Sequence, residues 1–452
     1  MRVLTPLWSA MLVAMASTSL HAMTLTEAIQ STLDNHPEIA ASVSSRLVAD
    51  EDVKVAKGGY LPTVDLLSGY GREHTDSPST RVPLGSHNTE TLTYSTNELR
   101  LRQMLFDGFN TPNEVARTEA VVNSRAYYLL GTAESLALRT VEVYLDVLKR
   151  REMVALAENN LQAHQRVHDQ ISLRSDQGVG STADRDQSAA RLALAQNNLY
   201  TEQVNLRDAE ANFFSATGRM ADELESPASI KGEVPEDINS ARQVVINNNP
   251  YLKSAQADVQ AAEKQYEVAK SPFYPRFDAE LSTSAGENNA GDEGHDKGWR
   301  AAVVMNYNLF NGMRDKARLQ GAAYQINEAM DIRNNALRVL NENLNLAWNA
   351  LENARLQTPK ARDYAEYSAS TREAYQQQFS LGQRTLLDLL DSENELFTAN
   401  RRYTEVRYIE EFSMYRLIAA MGELLRKQGV VVPAEAVALT EIKSEASLPN
   451  LK

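Results

Sequence analysis

Segments in each half of the chain alternate apolar and polar residues. Every odd position from Trp299 to Leu309 is apolar, whereas Arg300, Asn306 and Asn308 lie between them. This two-residue period is typical of a β-strand with one apolar and one polar face. The predicted strands are residues about 62–72, 91–105, 275–286 and 298–309.

A long stretch with the composition of a helix follows each pair of strands. The first is interrupted at Gly178 and the second at Gly382, and both are rich in residues that form helix readily. They predict two long helical hairpins, at about residues 112–218 and 314–422. The first arm, of roughly 65 residues, would be about 100 Å long, so it must pack laterally against other helices. Pro359 lies inside the second long arm, where it predicts a kink.

The chain is a tandem repeat. Val55-Ala56-Lys57 recurs 213 residues later as Val268-Ala269-Lys270, and Leu105-Phe106-Asp107-Gly108 is answered 204 residues later by Leu309-Phe310-Asn311-Gly312. The change in spacing indicates a loop about nine residues longer in the first half, and each half is one copy of the same unit. The predicted organisation is a signal peptide at 1–22, repeats at 23–230 and 231–426, and a C-terminal tail at 427–452.

The first residues indicate export. Arg2 precedes an apolar stretch of about 14 residues that ends before Ala22. This stretch is shorter than the roughly 20 residues of a membrane-spanning helix, and a small residue precedes the expected cleavage point. No later stretch approaches 18 uninterrupted apolar residues. A membrane role would therefore use β-strands.

Composition excludes several kinds of site. The chain has no cysteine, which excludes disulfides, thiolate metal sites and a lipidated N-terminal cysteine. Its net charge of −14 disfavours nucleic acid as a partner. His164 and His168 have the spacing of a zinc pair on a helix, but Gln165 stands where a metalloprotease needs glutamate. We therefore predict a solvated helix face there, with no metal site, no cofactor and no enzyme activity.

Four amphipathic strands cannot stand alone in lipid, because an open sheet leaves edge N–H and C=O groups unpaired. Several chains must share one closed barrel. Three chains would supply 12 strands, with a bore between those of eight-stranded barrels and 16-stranded porins.

The chain resembles the TolC family of outer-membrane channels. The resemblance rests on the tandem order of helix, strand pair and long helical hairpin, on Leu-Phe-(Asp/Asn)-Gly after each strand pair, and on the segment from Leu381 to Asp391. It implies a mainly α fold with a small β part, as a homotrimer with a 12-stranded outer-membrane β-barrel continuing into a 12-helix α-barrel. It also implies cargo delivered by an inner-membrane ABC or proton-driven transporter through a periplasmic adaptor protein.

The resemblance also assigns residues. Asp388 and Asp391, one helical turn apart, would form a periplasmic gate and cation ring, with Arg384 paired to Asp388 and with Asp184 as the first-repeat counterpart. Without the resemblance, acidic residues with this spacing indicate only a solvated helix face. The residues expected to contact the adaptor at the helical tips are Gly178, Val179, Leu381, Gly382 and Gln383. The glycines could equally serve only to let the chain reverse.

A second class of protein and several kinds of cargo are compatible with these patterns. A periplasmic coiled-coil adaptor or scaffold would also be exported and rich in helical hairpins, although it would not need duplicated amphipathic strands. The cargo could be an adhesin, a toxin, a protease or a drug. The N-terminus without a lipidated cysteine favours type I protein secretion.

Overall fold

A computed structural model describes residues 22–78, 80–81, 89–442 and 447–449. The predicted signal peptide lies outside the described residues except for Ala22. The described chain is mainly helical with one small sheet, which confirms the predicted mainly α fold with a small β part. It divides into two compact units. The first unit contains Met1–Thr32, Arg139–Gly232 and Leu356–Phe412, and the second contains Leu33–Leu138, Glu233–Arg355 and Ser413–Lys452.

Nine α-helices and four strands occur in the described part of the chain. The helices are α1 (Leu25–Asn35), α2 (Pro37–Gly58), α3 (Asn110–Asp176), α4 (Thr182–Thr217), α5 (Ile238–Asn248), α6 (Pro250–Ala269), α7 (Arg314–Ser380), α8 (Leu386–Ala420) and α9 (Leu424–Lys427). The strands are β1 (Thr63–Thr75), β2 (Glu90–Phe106), β3 (Arg276–Glu287) and β4 (His295–Asn306).

The repeat is visible in how equivalent helices begin. The His36 side chain caps α2, and the Asn249 side chain caps α6 by accepting from two backbone N–H groups. A proline follows each cap, where its missing N–H costs nothing. Both long arms, α3 and α7, contain 67 residues. Helix α7 continues through Pro359 as one helix.

All neighbouring strands of the sheet are antiparallel, in the order β1-β2-β3-β4. The register shifts between Met104 and Phe106, so Leu105 is the extra residue of a β-bulge and Phe106 pairs with Phe277. The two-residue alternation is therefore interrupted at the end of β2.

Strand β4 ends at Asn306, three residues before the predicted end at 309. Beyond it, the Asn308 and Asn311 side chains donate to the Asp315 carboxylate in the first turn of α7. Asn308, which the alternation placed on the polar face of a strand, therefore stabilises the first turn of α7 instead.

Each strand pair leads into its long helix through the same strained backbone. Gly108 and Phe109 both have positive φ angles, and so do Gly312 and Met313. Positive φ is costly for a residue with a side chain, so this turn is maintained by its surroundings. The Asp107 carboxylate accepts from the backbone N–H and hydroxyl of Thr111, which supports the turn in the first repeat.

Within the second unit, the C-terminal tail is held by buried side chains of two long helices. Asn123 of α3 is fully buried, and its side-chain amide makes four hydrogen bonds to Leu439 and Thr440. Arg333 of α7, also buried, donates to the Ser447 carbonyl at 2.8 Å. The tail therefore bridges α3 of the first repeat and α7 of the second.

Candidate functional site

The strand register gathers the apolar positions on one face of the sheet. Leu66 pairs with Leu99, Leu101 pairs with Leu281, and Leu281 pairs with Ala301. Residues opposite each other on neighbouring strands share a face, so the predicted alternations combine into one continuous surface. Its large side chains are exposed in the single chain, with Trp299 at 78% exposure. An apolar surface of this kind needs a partner or a lipid environment.

The opposite face carries charges, several of them paired. Arg102 of β2 lies 3.1 Å from Glu280 of β3, and Arg100 lies 2.9 Å from Glu98 on the same strand. A charged face is compatible with water and not with hydrocarbon. The sheet is therefore amphipathic as a whole.

An aromatic cluster lies where the strands meet the turns that lead to the helices. The ring of Phe109 contacts Phe106 edge-on at 5.2 Å and Tyr274 at 5.8 Å between centroids. Phe106 in turn lies 6.5 Å from Phe277. Aromatic residues at this position suit a boundary between lipid and water.

The outer strands of the sheet, β1 and β4, each have only one neighbour within the described residues. Their outer N–H and C=O groups therefore form two free edges. Free edges of amphipathic strands are templates for pairing with another chain.

The two hairpin tips in the first unit have the same turn. Gly178 and Gly382 have φ angles of 76° and 75°, and an added Cβ would meet nothing within 4 Å. Each turn is closed by backbone hydrogen bonds to the end of the preceding helix. Next to these glycines, Val179 is 81% exposed and Leu381 is 71% exposed. All five predicted tip residues, Gln383 included, lie at these exposed turns.

Among the predicted gate residues, Asp388 caps its own helix. Its carboxylate accepts from the backbone N–H and the hydroxyl of Thr385, and these bonds lower the pKa of Asp388. Arg384 lies 3.9 Å from Asp388, a long ion pair. The guanidinium of Arg384 has a closer partner at the end of α7, since it donates to Gln378 at 2.9 Å. It also lies over the Tyr375 ring, 4.3 Å from the ring centroid.

Asp391 has a different partner. Its carboxylate lies 2.8 Å from the guanidinium of Arg191 on α4, which joins the two hairpins. Asp184 lies in the first turn of α4. In the single chain Asp388 and Asp391 therefore have separate partners, Thr385 and Arg191.

The prediction that the histidine pair lies on a solvated face is wrong for His164. This side chain is 4% exposed, because α3 packs there against other helices. His168 binds the Ser188 hydroxyl of α4 at 2.9 Å. In the part of the chain that the structure describes, no group of three or more His, Asp or Glu residues could hold a metal ion.

Sequence reasoning missed several partners of the gate residues. Thr385 and Asp388 form the Ser/Thr-x-x-acidic pattern of a capping box, so this pair could have been found from spacing. Arg191 and Tyr375 carry no such signal, because their contacts depend on how separate helices pack. In the described segments, no helix combines the length and hydrophobicity needed to cross a bilayer.

A family model described as "Outer membrane efflux protein" matches residues 28–219 and 241–423. The chain belongs to this family. The match confirms the predicted family resemblance and covers both repeats. The protein is therefore an outer-membrane protein with a long helical periplasmic portion, and its family consists of channel proteins rather than enzymes.

Known relatives serve more than one kind of export. The chain is 26% identical to the outer membrane efflux protein BepC of Brucella suis, covering 90% of this chain and 86% of BepC. It is 21% identical to the alkaline protease secretion protein AprF of Pseudomonas aeruginosa, covering 90% and 86%. Its fold is similar to that of the CmeC outer membrane channel of Campylobacter jejuni, with a TM-score of 0.77, 15% identity, and coverage of 88% of this chain and 86% of CmeC.

Proposed function

We propose that three copies of this chain form an exit duct that passively conducts cargo from an inner-membrane transporter to the outside. The amphipathic sheet with two free edges carries the proposal. Closure of β4 against β1 of the next copy would remove every edge and form a barrel of 12 strands. The apolar face would then contact lipid, and the charged face would line water.

The helices support lateral association of copies. On α7 the exposed residues Ile332, Val339 and Leu346 recur every seven positions. A seven-residue apolar repeat is the pattern of a helix that packs along a neighbouring helix. The proposed trimer would cover this row and continue the strands as a barrel of 12 helices.

The hairpin tips suit contact with a periplasmic adaptor protein. Val179 and Leu381 present apolar side chains beside the two glycines, and this small apolar surface recurs on both hairpins. Asp388, Asp391, Arg384 and Asp184 would then lie close to the adaptor and form the gate. Because the acidic residues hold contacts with Thr385 and Arg191, adaptor binding could open the gate by exchanging those contacts.

The cargo class is inferred from the relatives and from the composition of the chain. BepC is named for efflux and AprF for protease secretion, so the relatives support either kind. The absence of cysteine from the chain favours an unlipidated duct for type I protein secretion. Efflux of small molecules is the second candidate.

Membrane fractionation separates the duct from a periplasmic scaffold. We expect the full-length protein to stay in the outer membrane during salt and carbonate washes, and to be released by detergent as a trimer. Release by carbonate alone would favour the scaffold.

The gate is tested by recording the purified trimer in planar bilayers. Replacing Asp388 and Asp391 together by alanine should leave trimers intact, but lower cation selectivity and weaken block by trivalent cations added from the periplasmic side. Unchanged selectivity and block in the double variant would show that these two residues do not form the gate.

A further inference from the structure

The histidine His164 of the first unit is buried, with one ring nitrogen unpartnered in the described part of the chain. His164 of α3 is 4% exposed, and its Nδ1 atom has no hydrogen-bond partner among the described residues. A neutral imidazole tolerates such a site at moderate cost, whereas an imidazolium would bury a charge whose Nδ1–H had no acceptor.

The surroundings of His164 disfavour a second positive charge. Arg191, on α4, acts electrostatically on His164 and is itself paired with Asp391 of α8. Around the same level, Arg372 of α7 lies 3.6 Å from Glu393 of α8. On α3 itself, His168 is bound to Ser188, and Arg166 acts on Glu393.

The packed state therefore favours the neutral imidazole. Burial, followed by the charge of Arg191, lowers the pKa of His164 below its ordinary value of 6.5. A loosened state that exposes His164 to water would have the ordinary pKa, and would bind more protons below pH 6.5. By linkage, the packed state loses stability as the pH falls below 6.5.

Glu393 responds to acid in the opposite direction. Burial raises the pKa of Glu393, so the packed state binds more protons than the loosened state, and acid stabilises the packing around this residue. A variant at His164 is therefore needed to isolate the contribution of the histidine from that of Glu393.

The second repeat lacks this group. The residue 204 positions after His164 is Ser368, which is buried but does not titrate. The second hairpin therefore has no histidine at the position equivalent to His164, although the two turns are the same.

We propose that His164 is a proton sensor in the hairpin formed by α3 and α4, and that protonation of its imidazole loosens the packing of α3 against α4, α7 and α8. His164 lies 15 residues before Val179 in the tip turn, so the loosened packing would be close to the tip. In the proposed duct it would favour tip opening in acid, a consequence that rests on the proposed function.

Hydrogen–deuterium exchange of the full-length protein in detergent tests the sensor without requiring a conducting pore. After correction for intrinsic exchange rates, backbone protection in residues 160–172 and 186–196 should fall between pH 7.5 and 5.5. One pH unit below the ordinary histidine pKa corresponds to a decrease of up to about tenfold.

The variants His164→Leu and His164→Gln should lose the decrease in protection over the same pH range and retain only the opposite response of Glu393. Leucine preserves the buried volume and glutamine preserves polarity, so one remains informative if the other fails to assemble. His74→Gln, at an exposed strand position, is the matched control and should retain the full wild-type decrease. A wild-type decrease in both His164 variants would overturn the proposal, and so would constant protection in the wild type. Neither result would bear on whether the trimer conducts.

Discussion

The docking of the C-terminal tail through Asn123 gives a sharp quantitative prediction. Asn123→Ala removes four hydrogen bonds to Leu439 and Thr440, two of them 2.8 Å long, from a fully buried position. At about 0.5–1 kcal/mol for each bond, the variant should weaken tail docking by about 2–4 kcal/mol. The ratio of released to docked tail should then rise about 30-fold to several hundredfold.

Exchange protection of the backbone N–H groups of Leu439 and Thr440 measures this ratio directly, and limited proteolysis of the tail provides a second reading. Thr440→Val, which removes only the hydroxyl partner, should reduce protection by a few fold. Asn327 occupies the equivalent place in the second repeat and is exposed, so Asn327→Ala is a matched control that should leave the tail unchanged. Equal protection in the Asn123 and Asn327 variants would refute the reasoning.

Three further predictions concern the sheet, the buried acid and the tips. A lysine at Met305, on the apolar face, should cost roughly 2–4 kcal/mol near the middle of the bilayer and reduce trimer yield, whereas a lysine at Asn306 on the other face should be tolerated. Equal yields would contradict the assignment of the faces. Burial raises the pKa of Glu134 to about 7, so stability should fall by roughly 3 kcal/mol as the pH rises from 4.5 through 7. Thermal unfolding of Glu134→Gln should show a flatter pH profile, and a wild-type slope in this variant would point to another group. Bulky residues at Gly178 and Gly382 should abolish export while trimers persist, and retained crosslinking to the adaptor would count against the proposed tip contact.

Local patterns predicted the fold because both repeats use strong local signals. The two-residue period of Trp299, Val303 and Met305 indicates a strand with one apolar face. The glycines at 178 and 382 fall where the hairpins reverse, since the turn requires positive φ. The end of β4 at Asn306 was predicted three residues too late. Asn308 continues the alternating sequence pattern, and that pattern does not distinguish an asparagine that faces water from one that binds the carboxylate of Asp315.

The contacts of the predicted gate residues could not be predicted from the sequence. Asp391 was identified from the resemblance, but its partner Arg191 lies 200 residues away in sequence. The anchoring of the tail by Asn123 joins residues 317 apart. Neither contact leaves a periodic pattern, because each depends on which helices pack together. The burial of His164 has the same cause.

In the proposed trimer, the free edges at β1 and β4 would make the stability of the sheet depend on more than one chain. Dilution in the membrane would favour unpaired edges and crowding would favour closure, so no single unfolding free energy describes the sheet apart from the local concentration of copies. A newly exported chain would carry both edges exposed until others arrive. During that interval the unpaired strand edges can pair incorrectly with other chains and cause aggregation. The length of the interval depends on the rate of synthesis.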